Sequence, residues 1–386
     1  MSTVARARTA LMMGICMLSA AACGAATTSN HGTSSASTAS AALPPPGACP
    51  APAISPPSGP IVPPEPSRPD AVQATIRIGA GSGPQFSAAG FGSIWVAAYR
   101  GEFIDRIDPQ TNAVQAKIPL PRIAGQPVAS GRLITGPDGV WIQTGESTTP
   151  ATGPAPNELV RIDPATNRVT VQAPIDSLAE VVDGPDGLWG LLDPWTGGAT
   201  RVSLVRIDPV TGKVLRTIDL APASLPHTHT PEIDDGLGSL WVVIADNEVA
   251  RVNPSTGAVT ATIRTPSVPF GFVVMAFVGQ HLFVSEADTT IARIDTATNC
   301  VDGLMYLRSH SLGSGQSLVA AAQGLYVAFD LGALALVDPS TLSVRASLRL
   351  DSQDFVAAPT AAFGSIWYPT SVGDSVIRVR PLAAPA

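Results

Sequence analysis

The residues best suited to chemistry are concentrated in one short segment, residues 227–235, which contains two histidines and three carboxylates. Alternate residues of an extended chain project to the same side, so His227 and His229 could share a ligand with Glu232 close by. Imidazole and carboxylate together suit zinc or another divalent transition metal. The spacing matches no established metal motif, and a polar surface loop beside a proline has the same composition. A divalent metal site and a plain surface loop therefore both stay open.

Six further polar residues each precede an apolar residue at the start of a predicted strand. They are Gln85, Gln126, Glu180, Glu232, Gln316 and Asp354. If these strands surround one axis, the six groups converge and could hold a cation or a polar ligand, although a hydrated channel mouth would present the same groups. Tyr99 and Trp195 fall in corresponding connections. An exposed tryptophan there suggests recognition of a sugar, a peptide or an apolar ligand, unless it folds back onto its own loop.

Composition and motifs exclude some classes of function. The net charge is −7 and no basic stripe is present, which argues against nucleic acid as a partner. The sequence has no Gly-x-Ser-x-Gly elbow and no phosphate-binding glycine loop. If the chain is an enzyme, His227 or His229 is the best general base, with Glu232 or Glu180 holding a metal for a lyase or hydrolase reaction.

These residues must be positioned by a repeat that begins at residue 71. An aromatic residue with apolar neighbours recurs every 41 to 52 residues, just after a turn signal, and a turn of the type Asp-Pro-x-Thr-Asn/Gly follows downstream. In that turn the aspartate accepts backbone N–H groups, the proline presets φ and the last residue tolerates a left-handed conformation. The seven aromatics are Trp95, Trp141, Trp189, Trp241, Phe283, Tyr326 and Trp367.

Each unit is predicted to form four short antiparallel strands, which is typical of propeller blades. The sequence thus predicts an all-β, seven-bladed β-propeller. The seventh unit stops without a fourth strand, whereas residues 71–77 match residues 258–264, a fourth strand, almost residue for residue. We therefore expect residues 71–78 to complete the last blade and close the ring, which removes free sheet edges.

On this repeat the chain resembles the YVTN-type and virginiamycin-B-lyase-like group of bacterial seven-bladed propellers over residues 71–380. The resemblance implies the fold more than an activity, because that group includes enzymes and proteins of unassigned role. The Leu-Trp-Phe-Thr-Glu blade motif of the lyases is absent, and its counterparts here are residues 94–97 and 240–243.

The first 23 residues resemble a bacterial lipoprotein signal peptide. Arg6 and Arg8 are followed by a short apolar stretch and by small residues that end at Cys23, the predicted site of lipidation; plain secretion after an Ala-x-Ala cut is the alternative. Residues 24–70 are rich in Ser, Thr and Ala and then in Pro, which predicts a disordered tether between the lipid and a propeller of residues 71–386.

Two cysteines remain in the part of the chain predicted to lie outside the cytoplasmic membrane. We expect Cys49 and Cys300 to form a disulfide there, with two free thiols as the alternative. The sequence as a whole predicts a monomeric lipoprotein on the outer face of the cell membrane. It would act as a non-catalytic module that binds a small molecule, a glycan or an envelope protein. The alternative is a metal-assisted lyase or lactone hydrolase that uses the channel mouth.

Overall fold

The computed structural model describes residues 49, 53–54, 69–122, 128–145, 157–192, 201–222, 229–230, 232–245, 247–265, 271–285, 290–307, 316–329, 332–350 and 358–382. Two strands and one 3-10 turn precede the first blade: β1 (Ala53–Ile54), the turn Pro69–Ala71 and β2 (Val72–Arg77). Within these residues no helix is long and apolar enough to cross a membrane. The predicted signal peptide, with Cys23, and most of the predicted tether lie outside the described residues.

The first three blades are four-stranded antiparallel sheets whose strands follow one another in the chain. Blade 1 consists of β3 (Pro84–Gly90), β4 (Ser93–Ala98), β5 (Phe103–Ile107) and β6 (Val114–Pro119). Blade 2 consists of β7 (Ala129–Gly136), β8 (Gly139–Gly145), β9 (Glu158–Asp163) and β10 (Arg168–Pro174). Blade 3 consists of β11 (Leu178–Gly184), β12 (Gly187–Leu192), β13 (Arg201–Ile207) and β14 (Val214–Pro222).

The remaining blades follow the same plan, with two short strands between them. After β15 (His229–Thr230), blade 4 consists of β16 (Ile233–Gly236), β17 (Ser239–Ala245), β18 (Glu248–Val252) and β19 (Val259–Arg264). After β20 (Gly271–Phe272), blade 5 consists of β21 (Val274–Val278), β22 (His281–Ser285), β23 (Thr290–Asp295) and β24 (Cys300–Tyr306). Blade 6 consists of β25 (Gln316–Ala321), β26 (Gly324–Phe329), β27 (Ala333–Asp338) and β28 (Ser343–Arg349).

Blade 7 closes the ring with a strand from the other end of the domain. It consists of β29 (Thr360–Ala362), β30 (Ser365–Thr370) and β31 (Ser375–Val379), with β2 as its outermost strand. Ala74 of β2 lies opposite Arg378, just as Ala261 of β19 lies opposite Arg251, so the predicted equivalence of the two strands is confirmed. The inner strands β3, β7, β11, β16, β21, β25 and β29 contact one another in this order, and β29 contacts β3. The predicted seven-bladed β-propeller is confirmed.

The repeated aromatics pack between blades. Trp95, Trp241 and Trp367 are fully buried, and each indole N–H donates to the carbonyl of the last residue of its own inner strand, at 3.0–3.3 Å. The indole therefore holds the inner hairpin while its ring fills the space between two sheets. Burying surface of this size contributes on the order of 2–3 kcal/mol per side chain.

The repeated aspartate turns also form as predicted. In the first, Asp108 accepts the N–H groups of Gln110 at 2.7 Å and Thr111 at 3.4 Å, and Asn112 has a φ of 59°. Asn167, Gly212, Gly257 and Asn299 occupy the same left-handed position in later blades. In blade 6 the residue is Leu342, with a φ of 54°, which an L side chain adopts at a cost of about 1 kcal/mol.

An arginine on the third strand of a blade ties that blade to the turn of the next. Arg106 lies over Trp95 and donates to the carbonyl of Pro164 at 2.6 Å and to Oδ1 of Asn167 at 2.9 Å, both in blade 2. Arg251 makes the same contacts with residues 296 and 299 of blade 5. Arg378 repeats them from blade 7 to residues 109 and 112 of blade 1, and so fastens the ring across its closing interface.

Blade 6 lacks this arginine, and the next blade explains why. Leu336 stands at the arginine position, opposite Tyr326, which replaces the usual tryptophan. Because β31 is joined to β2 by pairing and not by a turn, blade 7 has no aspartate turn to which an arginine of blade 6 could donate. The hydroxyl of Tyr326 instead accepts the N–H of Leu382 at 2.8 Å, so the end of the chain replaces the missing contact.

Removal of the closing arginine should weaken the ring. Arg378→Ala is expected to lower the free energy of unfolding by about 2 kcal/mol, because charge-assisted hydrogen bonds across the last interface are lost. Arg206→Ala is the matched control, since Arg206 donates to the carbonyl of Asp186 in its own blade, and should cost less than about 1 kcal/mol. Denaturant unfolding measures both losses, and equal losses would contradict a special role for Arg378.

The predicted disulfide between Cys49 and Cys300 is present, with the two Cα atoms 5.5 Å apart. It attaches the segment before the propeller to the first residue of β24. Four residues after Cys49, β1 pairs in parallel with β24, with Ala53 opposite Gly303, and gives blade 5 a fifth strand. The outer edge of this blade is thereby covered by the chain itself.

Candidate ligand-binding site

Charged side chains from three blades occupy the same position at their innermost strands. Each inner strand is joined to the next strand by a turn of two residues, which we call the inner turn of that blade. Five positions before the first residue of these turns lie Arg132 in blade 2, Glu180 in blade 3 and Glu232 in blade 4. The corresponding positions of the other blades are uncharged: Phe86, Val274, Ser317 and Ala358. One basic and two acidic side chains from consecutive blades therefore meet in an otherwise neutral layer.

A bulge in β7 places the arginine. Ser130 lies opposite Thr144 and Leu133 opposite Ile142, so the strand carries an extra residue between these pairs, and Gly131 and Arg132 occupy the irregularity. A side chain at position 131 would overlap the amide oxygen of Gln143 and lie 3.1 Å from the Gln143 carbonyl oxygen, so a larger residue there would require the Gln143 side chain to move. Bulges of this kind redirect side chains. Here the bulge carries Arg132 toward the two glutamates.

The guanidinium joins carboxylates from two other blades. Nη1 of Arg132 donates to Oε1 of Glu180 and, at 2.6 Å, to Oε1 of Glu232. The other oxygen of Glu180 accepts the N–H of Ile233 at 3.0 Å, and Glu232 accepts a backbone hydrogen bond from Met275. We call Arg132, Glu180, Glu232 and nearby Asp234 the entrance cluster, since it faces the channel end at which the inner strands begin. The cluster connects blades 2, 3, 4 and 5.

The entrance cluster holds more acid than base. Burial raises the pKa of Glu180 to about 8, and the neighbouring Glu232 and Asp234 raise it further while Arg132 lowers it. Burial also raises the pKa of Asp234 to about 8, with the negative charges of Asp235 and Glu232 acting in the same direction. The pKa of Glu232 is raised by burial against the pull of Arg132. Burial opposes the charge of Arg132, but the two glutamates raise its pKa above the usual range.

The three groups that form the ion pairs differ in exposure. The side chain of Arg132 is 29% exposed, whereas those of Glu180 and Glu232 are 6% and 8% exposed. The guanidinium is therefore more exposed than the two carboxylates that it joins. In chemical terms the site offers one fixed cation, hydrogen-bond acceptors and protons that can be released near neutral pH.

Of the six polar residues that the sequence singled out, the structure brings together Glu180 and Glu232. Gln85 is half-buried in β3, where its carbonyl accepts the N–H of Ala358 at 2.8 Å. Gln316 opens β25, and its side chain is not described. Gln126 and Asp354 lie outside the described residues, so their part in the site stays a prediction.

The structure describes only some of the residues that were predicted to bind a ligand through an aromatic ring or to bind a metal. Tyr99 is half-buried in the connection after β4, and its N–H donates to the carbonyl of Gly83 at 3.1 Å. Trp195 and His227 lie outside the described residues, and His229 is described only by its backbone in β15, which pairs with β20. Glu232, the third predicted metal ligand, is already bound by Arg132. Among the described residues no group of three His, Cys, Asp or Glu could hold a metal ion.

Sequence reasoning missed Arg132 and assigned no role to Asp234. A usable signal existed for the arginine: of the seven inner strands, β7 alone contains a basic residue. Counting back from the inner turns, instead of forward from the predicted strand starts, would have aligned Arg132 with Glu180 and Glu232.

Fold and site together define a seven-bladed β-propeller with a charged cluster in the entrance of its channel. Comparison with known proteins adds little to that class. No protein-family model and no curated protein matches the chain, so membership of the YVTN-type or lyase-like group stays a prediction. The solved structures that are similar include BamB from Moraxella catarrhalis, with 12% identity and a TM-score of 0.49 over 78% of this chain and 84% of that chain.

Proposed function

We propose that this chain is a non-catalytic binding protein of the bacterial cell envelope, and that its entrance cluster binds a cationic group of a ligand. The observation that carries the proposal is the imbalance of the cluster, in which two buried glutamates and the partly buried Asp234 face one guanidinium. An ammonium or guanidinium group of a ligand would replace protons that these carboxyl groups otherwise retain, and would gain charge-assisted hydrogen bonds in a partly desolvated site.

Several features support binding over catalysis. Both glutamates are engaged by the same arginine, and the arginine is held by two carboxylates, so none of the three is poised to attack a substrate. The sequence contains no nucleophile motif. The rigid ring keeps the three groups in place, as a preformed binding site requires. The resemblance to the YVTN-type group supports the scaffold and does not specify a reaction.

The envelope location rests on two separate features. The disulfide between Cys49 and Cys300 suits an oxidising compartment outside the cytoplasmic membrane. The lipoprotein signal with Cys23 would then anchor the protein, and residues 24–70 would hold the propeller away from the lipid surface.

Binding is tested with spermidine as the probe. Calorimetric titration of the protein at pH 8 should give saturable binding with release of protons, seen as heats that change with the ionisation enthalpy of the buffer. Glu180→Gln and Glu232→Gln should each weaken binding by about tenfold, the loss of one charged contact. Glu102→Gln is the matched control, because Glu102 pairs with Arg122 at the edge of blade 1, and should bind normally. No saturable heat, or equal binding by Glu180→Gln, would contradict the proposal.

Anchoring is tested separately. Cys23→Ser is expected to move the protein from the membrane fraction to the soluble fraction, because the thioether to the lipid cannot form. Cys16→Ser, within the apolar part of the signal, should leave the protein in the membrane fraction. An unchanged membrane fraction for Cys23→Ser would contradict lipid anchoring.

A further inference from the structure

Among the described residues, most of the exposed large apolar side chains lie on the face opposite the entrance cluster. We call this the exit face: it is formed by the inner turns and by the turns between the third and fourth strands. Among the described residues, eight large apolar side chains are exposed, and seven lie on this face: Phe91, Val114, Val210, Val214, Leu215, Leu237 and Phe363. The eighth, Val372, lies in the connection from β30 to β31 at the entrance. Scattered exposed apolar residues are ordinary, but so strong a bias toward one face is not.

Three of these residues occupy turn positions that favour other side chains. Phe91, Leu237 and Phe363 have φ angles of 52–53°, and each is followed by a glycine with a φ of 68–74°. Two-residue hairpin turns with positive φ at both positions prefer Asn, Asp or Gly. The three side chains are nevertheless 39–45% exposed, so burial within the chain does not account for them. Neither local conformation nor packing explains large apolar residues here.

The first positions of the inner turns form an apolar collar around the exit of the channel. Its members, on five consecutive blades from blade 7 to blade 4, are Phe363, Phe91, Pro137, Pro185 and Leu237. Next to the collar, on blades 2 to 4, lie Asp138, Asp183 and Asp235. Burial raises the pKa of Asp183 and of Asp235, and in each case the neighbouring aspartate raises it further. These three carboxylates repel one another, which a cation from outside would relieve.

We propose that the exit face is a docking surface for a polypeptide that presents large apolar side chains flanked by lysine or arginine. The apolar side chains would cover the collar, and the basic ones would neutralise the three aspartates. This surface is separate from the entrance cluster. Beside the collar the three aspartates favour a basic polypeptide over an anionic lipid surface, and a second copy in a symmetric dimer would add further aspartates. Lys213 and Arg216, exposed basic residues of this face, lie in the turn between β13 and β14 and in β14, and not in the collar.

The test uses an amphipathic synthetic peptide of leucine and lysine, a counterpart with glutamate in place of lysine, and the whole protein. The double variant Phe91→Asn, Phe363→Asn removes two apolar groups and introduces the residue that these turns prefer, so folding is retained. Val372→Asn removes an apolar group from the other face and is the matched control. Fluorescence anisotropy reports the affinity for each peptide.

The lysine peptide should bind at least about tenfold more weakly to the double variant and normally to Val372→Asn, and the glutamate peptide should not bind. Asp138→Asn, Asp183→Asn should weaken binding and reduce its salt dependence. The proposal is overturned if the double variant binds as the natural protein does. It is also overturned if the double variant instead abolishes sedimentation with phosphatidylglycerol vesicles or abolishes self-association, which would identify a lipid surface or a second copy as the occupant.

Discussion

Deletion of residues 72–77 from the full chain is expected to abolish the folded ring. These residues form β2, which supplies the outer strand of blade 7 and buries Ile76 against Trp367 and Val376. Without β2, the edge of β31 is left unpaired. Arg378, which lies on β31 and donates to the carbonyl of Pro109 in blade 1, then loses the sheet that supports it. Because each blade of a ring packs between two others, the loss of stability should extend to the whole propeller.

The matched control removes six residues from the tether, residues 30–35, which precede Cys49 and lie outside the predicted propeller. This variant should unfold at the same temperature as the natural protein. The deletion of residues 72–77 should instead give aggregated or expanded protein in size-exclusion chromatography, without the near-ultraviolet circular dichroism of packed tryptophans. A monomer with native spectra and an unchanged melting temperature would show that the N-terminal strand is dispensable.

Replacement of the central arginine should cause the second large effect. Arg132→Met is expected to lower the free energy of unfolding by about 2–4 kcal/mol at pH 8, because Glu180 and Glu232 are left buried without their cation. Arg122→Met is the control: Arg122 pairs with Glu102 in solvent, and its loss should cost less than about 1 kcal/mol. Adding Glu180→Gln and Glu232→Gln to Arg132→Met should recover much of the loss, since neutral amides need no counterion.

The cost of Arg132→Met should fall as the pH is lowered. The folded-state pKa of Glu180 is about 8 against an ordinary value of 4.5, so its contribution to stability is complete below about 4.5 and is lost as the pH rises through about 8. Asp234 acts in the same direction. At pH 5 the carboxyl groups hold protons and tolerate the loss of the arginine better. A loss of stability that is equal at pH 5 and pH 8 would contradict this electrostatic origin.

The ring and its closure could be predicted because both are repeated locally. The similarity of residues 71–77 to residues 258–264 identified β2 as a fourth strand, and its observed register with β31 is that of β19 with β18. The aspartate turns were predictable for the same reason, since Asp108 and Asn112 act within five residues of each other. Contacts between residues that are close together in the sequence can therefore be predicted from it.

The entrance cluster could be predicted only in part, because its contacts span blades. Glu180 and Glu232 were singled out as polar residues near strand starts, but Arg132 is 48 residues from Glu180 and 100 residues from Glu232. Its position depends on the bulge at Gly131, which no alternation pattern reveals. The contacts of Arg106, Arg251 and Arg378 could not be predicted for the same reason, because the partners of each arginine lie in the next blade.

Titration of the carboxyl groups shows whether the entrance cluster holds protons that a cationic ligand replaces. Carboxyl carbon-13 chemical shifts can be followed by NMR against pH, with Glu180→Gln and Asp234→Asn used to assign the two signals. Midpoints near pH 8 are expected for Glu180 and Asp234 in the free protein, with a downward shift when spermidine is added. Ordinary midpoints near pH 4, with no response to spermidine, would contradict this expectation.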